Sequence, residues 1–298
     1  MHKWLKTGCA LASPLAVRLI HSPVAVMTAA ILLGSMTLAQ SAPGSQEVSA
    51  DELARRVVAN ELKFQDEDHA QWAYRQEKEE AGKKQTKRTI ETKDGDLSRL
   101  LAINDHPLTA KQLQKENQRI QELVSNPTEQ RRLQRARNTE TEQGRRLFKM
   151  LADAFVYSYA GREGGLIKLS FRPNPNFQPP SLEARVFHDM EGELWVDAKQ
   201  ERLAAMNGRL TGDVKFGGGL LGHLNKGGHF EVRQEEVAAG HWEMAAMAVD
   251  MKGKALFFKT INVQQTETRN DFQRVADDLT LTQAADILSG QIVVAENH

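Results

Sequence analysis

Between residues 164 and 272 the chain alternates apolar and polar side chains with a period of two, which predicts one strand after another. Over 166–172, Ile167, Leu169 and Phe171 fall on one side and Lys168, Ser170 and Arg172 on the other, the pattern of a half-buried strand. Further strands are predicted over 191–197, 203–216, 228–237, 241–252 and 255–272, with sequence neighbours pairing as antiparallel hairpins. Two of them are apolar on both sides. In 241–252, Trp242, Met244, Ala246 and Ala248 oppose Ala245, Met247, Val249 and Met251, and in 255–263, Leu256 and Phe258 oppose Phe257, Ile261 and Val263. A strand of that kind packs one face on a helix and leaves the other to line a second apolar space, or fills an ordinary core with methionine as the gap-filler.

Before residue 164 the period changes several times. Ser49 and Glu52 form a capping pair ahead of Leu53, Val57, Val58 and Leu62, whose helical spacing predicts one apolar stripe that must lie on the sheet. After His69 the period returns to two, with Trp72 and Tyr74 on one face, a polar strand over 86–92, and an Asp94-Gly95 turn into 97–103. Asn104-Asp105-His106-Pro107 closes that strand. Thr109 and Gln112 open a helix to about Val124, and Asn126, Pro127 and Glu129 open a second, predicted to run to about Tyr159 and stop at Gly161. Its first half carries Arg131, Arg132, Arg135 and Arg137; only its second half, with Leu147, Met150, Leu151, Ala154, Phe155 and Tyr157, suits a buried helix. The arginines read as a solvated face balanced by Glu129, Glu140 and Glu142, or as a grip for acidic headgroups or a partner protein. A last helix starts at Thr280 and Gln283, puts Leu281, Ala284, Ala285 and Leu288 on one face, and is predicted to stop at Gly290.

The first 42 residues read as a secretory signal. Lys3, Lys6 and Arg18 precede an apolar run over 24–38, followed by small residues at Ala39, Ser41 and Ala42. That run is shorter than the roughly 18 residues a membrane span needs, although an uncleaved anchor is the alternative. Cys9 is the only cysteine of the 298-residue chain, so a processed protein has no thiol, no disulfide and no cysteine-ligated metal. Removing three basic and no acidic residues from 39 of each leaves 36 against 39, a net charge of 36 − 39 = −3, which argues against nucleic acid as a partner.

Candidate chemistry is sparse. The 217–222 run contains the spacing of a dinucleotide loop, but leads into Asn225-Lys226-Gly227-Gly228 and an antiparallel strand in place of the helix that a phosphate cradle requires. It reads as a mobile connection, or, through Phe216, Leu220, Leu221 and Leu224, as the lip of an apolar cavity. His188, His223, His229 and His241 have no metal-ligand spacing, no nucleophile elbow is present, and the neighbouring carboxylates Glu235/Glu236 and Asp277/Asp278 are adjacent in sequence. No catalytic residue, metal or cofactor is expected, and the chain reads as a non-enzyme.

The hairpin Gly192-Glu193-Leu194-Trp195-Val196-Asp197-Ala198-Lys199-Gln200-Glu201-Arg202-Leu203 resembles the "G, apolar, aromatic, apolar, D, then R-L" hairpin of the LolA, LolB and RseB superfamily, the outer-membrane lipoprotein-sorting proteins. The resemblance covers about residues 49 to 275. It implies an α+β fold in which a strongly curved antiparallel sheet, an incomplete β-barrel, is covered by helices and holds acyl chains or a lipidated partner in an apolar cavity. The expected organisation is a signal peptide over 1–42, a curved-sheet domain over 43–275 with a helical insertion at about 106–161, and a C-terminal helix and tail over 276–298. The expected function is a soluble periplasmic carrier of a lipid or acyl-bearing ligand, with at most peripheral membrane contact; an envelope protein-interaction module using the helical insertion is the alternative. The candidate ligand-binding residues, drawn from the apolar set, are Trp195, Met206, Phe216, Leu221, Phe230, Trp242, Met244 and Phe258.

Overall fold

The computed structural model describes residues 48–255 and 259–295, so Phe258 and the expected signal segment lie outside the described residues. The fold is α+β. Thirteen antiparallel strands form one open sheet, with four α-helices among the described residues. In chain order the elements are α1 (Ala50–Glu67), β1 (Gln71–Glu80), β2 (Lys83–Ile90), β3 (Leu97–Ile103), β4 (His106–Pro107), α2 (Ala110–Ser125), α3 (Pro127–Ala154), β5 (Phe155–Glu163) and β6 (Leu166–Pro173). There follow β7 (Met190–Asp197), β8 (Leu203–Leu210), β9 (Val214–Phe216), β10 (Gly222–Leu224), β11 (His229–Ala238), β12 (His241–Ala255), β13 (Lys259–Val275) and α4 (Leu281–Ala295). Short 3₁₀ turns occupy Glu183–Asp189 and Gly217–Gly219.

The strand order is β4-β3-β2-β1-β13-β12-β11-β8-β7-β6-β5, with β9 and β10 paired beside β12. Most neighbours are sequence hairpins. The exceptions are β10 with β12, β1 with β13 and β8 with β11, of which the last two bring the amino-terminal strands and the late hairpins into one layer. No described helix is long and apolar enough to cross a membrane.

The main core lies where the alternation of β6 to β8 puts its apolar residues. Ile167, Leu169 and Phe171, then Met190, Leu194 and Val196, then Leu203, Met206 and Leu210 are buried on one face, called inner below. Leu53, Ala54, Val57 and Val58 of α1 cover that face with Leu147, Leu151 and Ala154 of α3. Ser49 caps α1 by accepting the Glu52 N–H at 3.2 Å. Phe155 ties the core together, its ring 4.6 Å from Phe171 and 5.4 Å from Phe187. A smaller core lies on the opposite face at the other end, where Ala73, Ile90 and Leu97 meet Ile120 of α2 and Leu281, Ala284 and Leu288 of α4. Both of those helices start at a Thr-x-x-Gln capping arrangement, Thr109 with Gln112 and Thr280 with Gln283.

Four predicted boundaries differ. The helix expected to reach Tyr159 ends at Ala154, because Phe155 and Tyr157 alternate with Val156 and Ser158 as an edge strand, pairing with Pro173 and Phe171. The predicted 203–216 strand breaks into β8 and β9 at Thr211, whose N–H turns away to the carbonyl of Asp189 at 2.7 Å. The two-sided strand at 241–252 has a bulge: the register steps from Arg233↔Ala246 to Gln234↔Met244. The bulge lets Met244 join Met247, Val249 and Met251 in the main core, leaving Ala246 and Ala248 half-buried. Finally, α4 continues through Gly290, which faces open space, so the helix loses only about 1 kcal/mol of propensity there.

Candidate functional site

The structure brings Met206, Phe230 and Met244 together in the main core, 6%, 6% and 8% exposed. Phe216 packs on the edge of that core, and Trp242 is half-buried, its indole N–H donating to Gln200 Oε1 at 3.1 Å. Leu221 lies on the glycine-rich connection between β9 and β10 and is exposed, as is Leu220 at 77%. Trp195 is elsewhere. Alternation along β7 points it, with Glu191 and Glu193, to the outer face, where the Lys168 ammonium sits 5.1 Å from its ring.

The hairpin that carries the family-like pattern is held by two of its charged residues, Asp197 and Arg202. Asp197 Oδ1 accepts the N–H groups of Lys199 and Gln200 at 3.1 and 2.7 Å and so closes the turn. Arg202 reaches α1, donating to Glu61 Oε1 at 2.6 Å, with its guanidinium 3.8 Å from the Phe64 ring centre. Glu61 also accepts the Leu203 N–H at 2.9 Å, and both members of the pair are buried. This clamp fixes α1 on the sheet.

Beyond the end of α1 the cover changes from apolar to polar. At the β12–β13–β1 end a cluster gathers Trp72, Tyr74, Glu91, Glu243, Glu267 and Arg269. Arg269 donates to Glu267 at 2.8 Å, and Glu267 also accepts from Gln76 at 2.6 Å. The Arg269 guanidinium lies 4.9 Å from the Tyr74 ring centre, while its Nη1 and the Trp72 indole Nε1 are buried without a protein partner. Glu91 accepts the Trp72 N–H at 3.0 Å. His241 closes the side, 2.9 Å from Asp68 at the end of α1 and edge-on to Phe64 and Trp72.

Burial raises two carboxyls of this cluster, Glu243 and Glu91. Glu243 is pushed up to about 7 by loss of water, with Arg269 opposing and Asp68 and Asp96 adding to the shift. Glu91 is raised well above the ordinary carboxylate range by burial and by Glu243. Burial likewise pushes the Tyr74 hydroxyl up. Both Glu91 and Glu243 thus favour the protonated form more than an exposed glutamate does. Among the described residues, no three His, Cys, Asp or Glu side chains are grouped to hold a metal ion.

Two guanidinium pairs tie α3 across this end. Arg137 meets Asp96 at 3.0 Å and lies against Gly95, and Arg145 meets Asp66 of α1 at 2.6 Å. Arg132 pairs with Glu129 on its own helix. Sequence reading missed Glu91, Glu243 and Arg269, because the carboxylates meet only through the long-range pairing of β1 with β13. The one local signal was Glu243 itself, a carboxylate set between Trp242 and Met244 in an apolar strand.

No family model and no curated protein matches this chain.

Proposed function

We propose that this chain is an exported binding protein that takes a lipid or acyl-bearing ligand against the methionine-rich inner face of its sheet, with α3 as the movable cover. The observation that carries this reading is the composition of that face and of its cover. Met190, Met206, Met244, Met247 and Met251 all belong to the main core, and their unbranched thioether chains rearrange around an apolar guest more readily than branched residues do. Across the polar cluster, by contrast, α3 is fastened by Arg137 and Arg145, whose partly exposed ion pairs are worth at most about 1 kcal/mol each. Lifting that half of the helix costs little and gives access to the methionines. Leu220 and Leu221 offer an exposed apolar rim on the glycine-rich connection. Each methylene of a bound chain contributes about 0.8 kcal/mol, enough for reversible holding of one long chain. The likeness of the 192–203 hairpin to lipoprotein-sorting proteins supports the same reading and, with it, a periplasmic location.

The test uses delipidated full-length protein with a fluorescent fatty-acyl probe and a fluorescent phospholipid, alongside mass spectrometry of extracts from gently purified material. Saturable probe binding that is weakened by Met206→Asn is expected. Absence of probe binding together with absence of co-purified lipid rejects the carrier. A second reading, a protein-interaction module, is favoured by the exposed first half of α3, where Leu133 is 40% exposed beside Arg131 and Arg135. Because the second half of α3 and β5 supply core residues, the discriminating variant is Arg131→Glu with Arg135→Glu, not a deletion. Loss of a captured envelope partner with unchanged acyl binding favours the module.

A further inference from the structure

The outer face of β5 to β8 and β11 carries a trough of about 660 Å³, within the range of pockets that enclose small ligands. It runs across the strands on the side away from the methionine core. Its floor is the pair Gly192 and Gly208, which face each other in the β7–β8 register and continue in line to Phe171 on one side and Phe230 on the other. Both glycines share the inward phase of Met190 and Met206, where a Cβ at Gly208 would meet the Phe230 ring at 2.5 Å and one at Gly192 the Phe171 ring at 2.7 Å. Seen from the outer side the floor is backbone, with the two rings behind it.

Hydrogen-bonding groups of both kinds surround that floor. Arg172, Asn207, His229 and Glu231 line it with side chains that make no hydrogen bond or ion pair among the described residues. Glu191 is held by Arg209 at 2.6 Å, and Glu193 by Lys168 at 2.6 Å. With Lys168 at the rim, three cations (Lys168, Arg172, Arg209) offset three carboxylates (Glu191, Glu193, Glu231). A trough in which formal charges cancel holds neither an anion nor a cation by field alone. What it offers is a set of planar, two-pronged donors and acceptors, the chemistry that pairs with adjacent hydroxyls. One further step along β7, about 7 Å beyond Glu193, Trp195 presents an aromatic surface on the same face, opposite the small Ala205.

We propose that this trough is a second binding site, separate from the acyl-binding face, and that its ligand is a neutral saccharide whose hydroxyls pair with Arg172, Asn207 and Glu231 while one sugar face stacks toward Trp195. The proposal does not depend on the carrier reading, since none of the methionines or rim leucines invoked there lines the trough.

The test is a titration of the full-length, ¹⁵N-labelled protein with maltotriose, with N,N′,N″-triacetylchitotriose and, as an extended-chain control, with trialanine. The amides of Gly192 and Gly208 and the Trp195 indole are the reporters. At least one saccharide is expected to shift all three saturably, with a dissociation constant on the order of 1 mM. Ser170→Trp, which fills the trough from an outward-facing position, is expected to abolish the shifts, and Arg172→Ala to weaken binding about tenfold. Fluorescent acyl-probe binding stays unchanged in both variants. The proposal is overturned if neither saccharide shifts the reporters, if the shifts persist in Ser170→Trp with the fold intact by circular dichroism, or if trialanine binds as well as the sugars.

Discussion

Between β5 and β8 the inner face of the sheet is apolar throughout and lies under α1 and the second half of α3, whereas the β12–β13–β1 end of the same sheet gathers Glu91, Glu243, Glu267 and Arg269 under the polar half of α3. The first region is stabilised by area removed from water and is indifferent to pH. The second depends on ion pairs, on hydrogen bonds and on two carboxyls, Glu91 and Glu243, whose burial favours the protonated form. One continuous sheet thus has an end held by apolar packing and an end held by polar contacts. The apolar end also has its small second core counterpart across the sheet from the polar cluster, so the polar end is not left without hydrophobic support.

The contrast can be broken from either side. The largest effect is expected for Phe187→Ala, which removes a fully buried ring touching Phe155 and Phe177. It should cost about 3–5 kcal/mol in chemical denaturation, equally at pH 5 and pH 8. Glu61→Ala comes next, leaving the Arg202 guanidinium buried without its partner; about 3 kcal/mol is expected, and Arg202→Met with Glu61→Leu should recover most of it. Glu243→Gln should act in the opposite direction and only in alkali. A carboxyl raised to about 7 when folded binds more protons than the unfolded chain above about pH 4.5, so stability falls as pH rises through that window. The amide removes the fall, and a gain on the order of 2 kcal/mol at pH 8, with none at pH 4, is expected from denaturation curves. An unchanged pH profile would show that Glu243 is solvated. The smallest effect belongs to Arg137→Ala, below about 1 kcal/mol in stability, yet with faster uptake of the acyl probe if α3 is the cover.

Much of the apolar end was legible in the sequence, and the polar end was not. Strands β6, β7, β11 and β12 follow from local alternation, and the caps at Ser49, Thr109, Asn126 and Thr280 follow from short-range hydrogen bonding. Phe155 and Tyr157 were misread because a helical and a strand period overlap at the junction of α3 and β5, and the pairing with β6 decides between them. Met244 was placed by a bulge, which no periodicity announces. The trough depends on residues from five strands brought side by side, each of which reads locally as an ordinary solvated position. Trp195 was singled out as an apolar contact, and its alternation with Leu194 and Val196 already contained its outward direction.

Helix α3 is a single unbroken rod of 28 residues, about 42 Å from end to end, seated in the oily region at one extremity and bridging to Asp66 and Asp96 farther along. A beam anchored in that way transmits displacement instead of absorbing it. A displacement of the salt-linked part is therefore carried to the seated part, with no relay of side chains required in between.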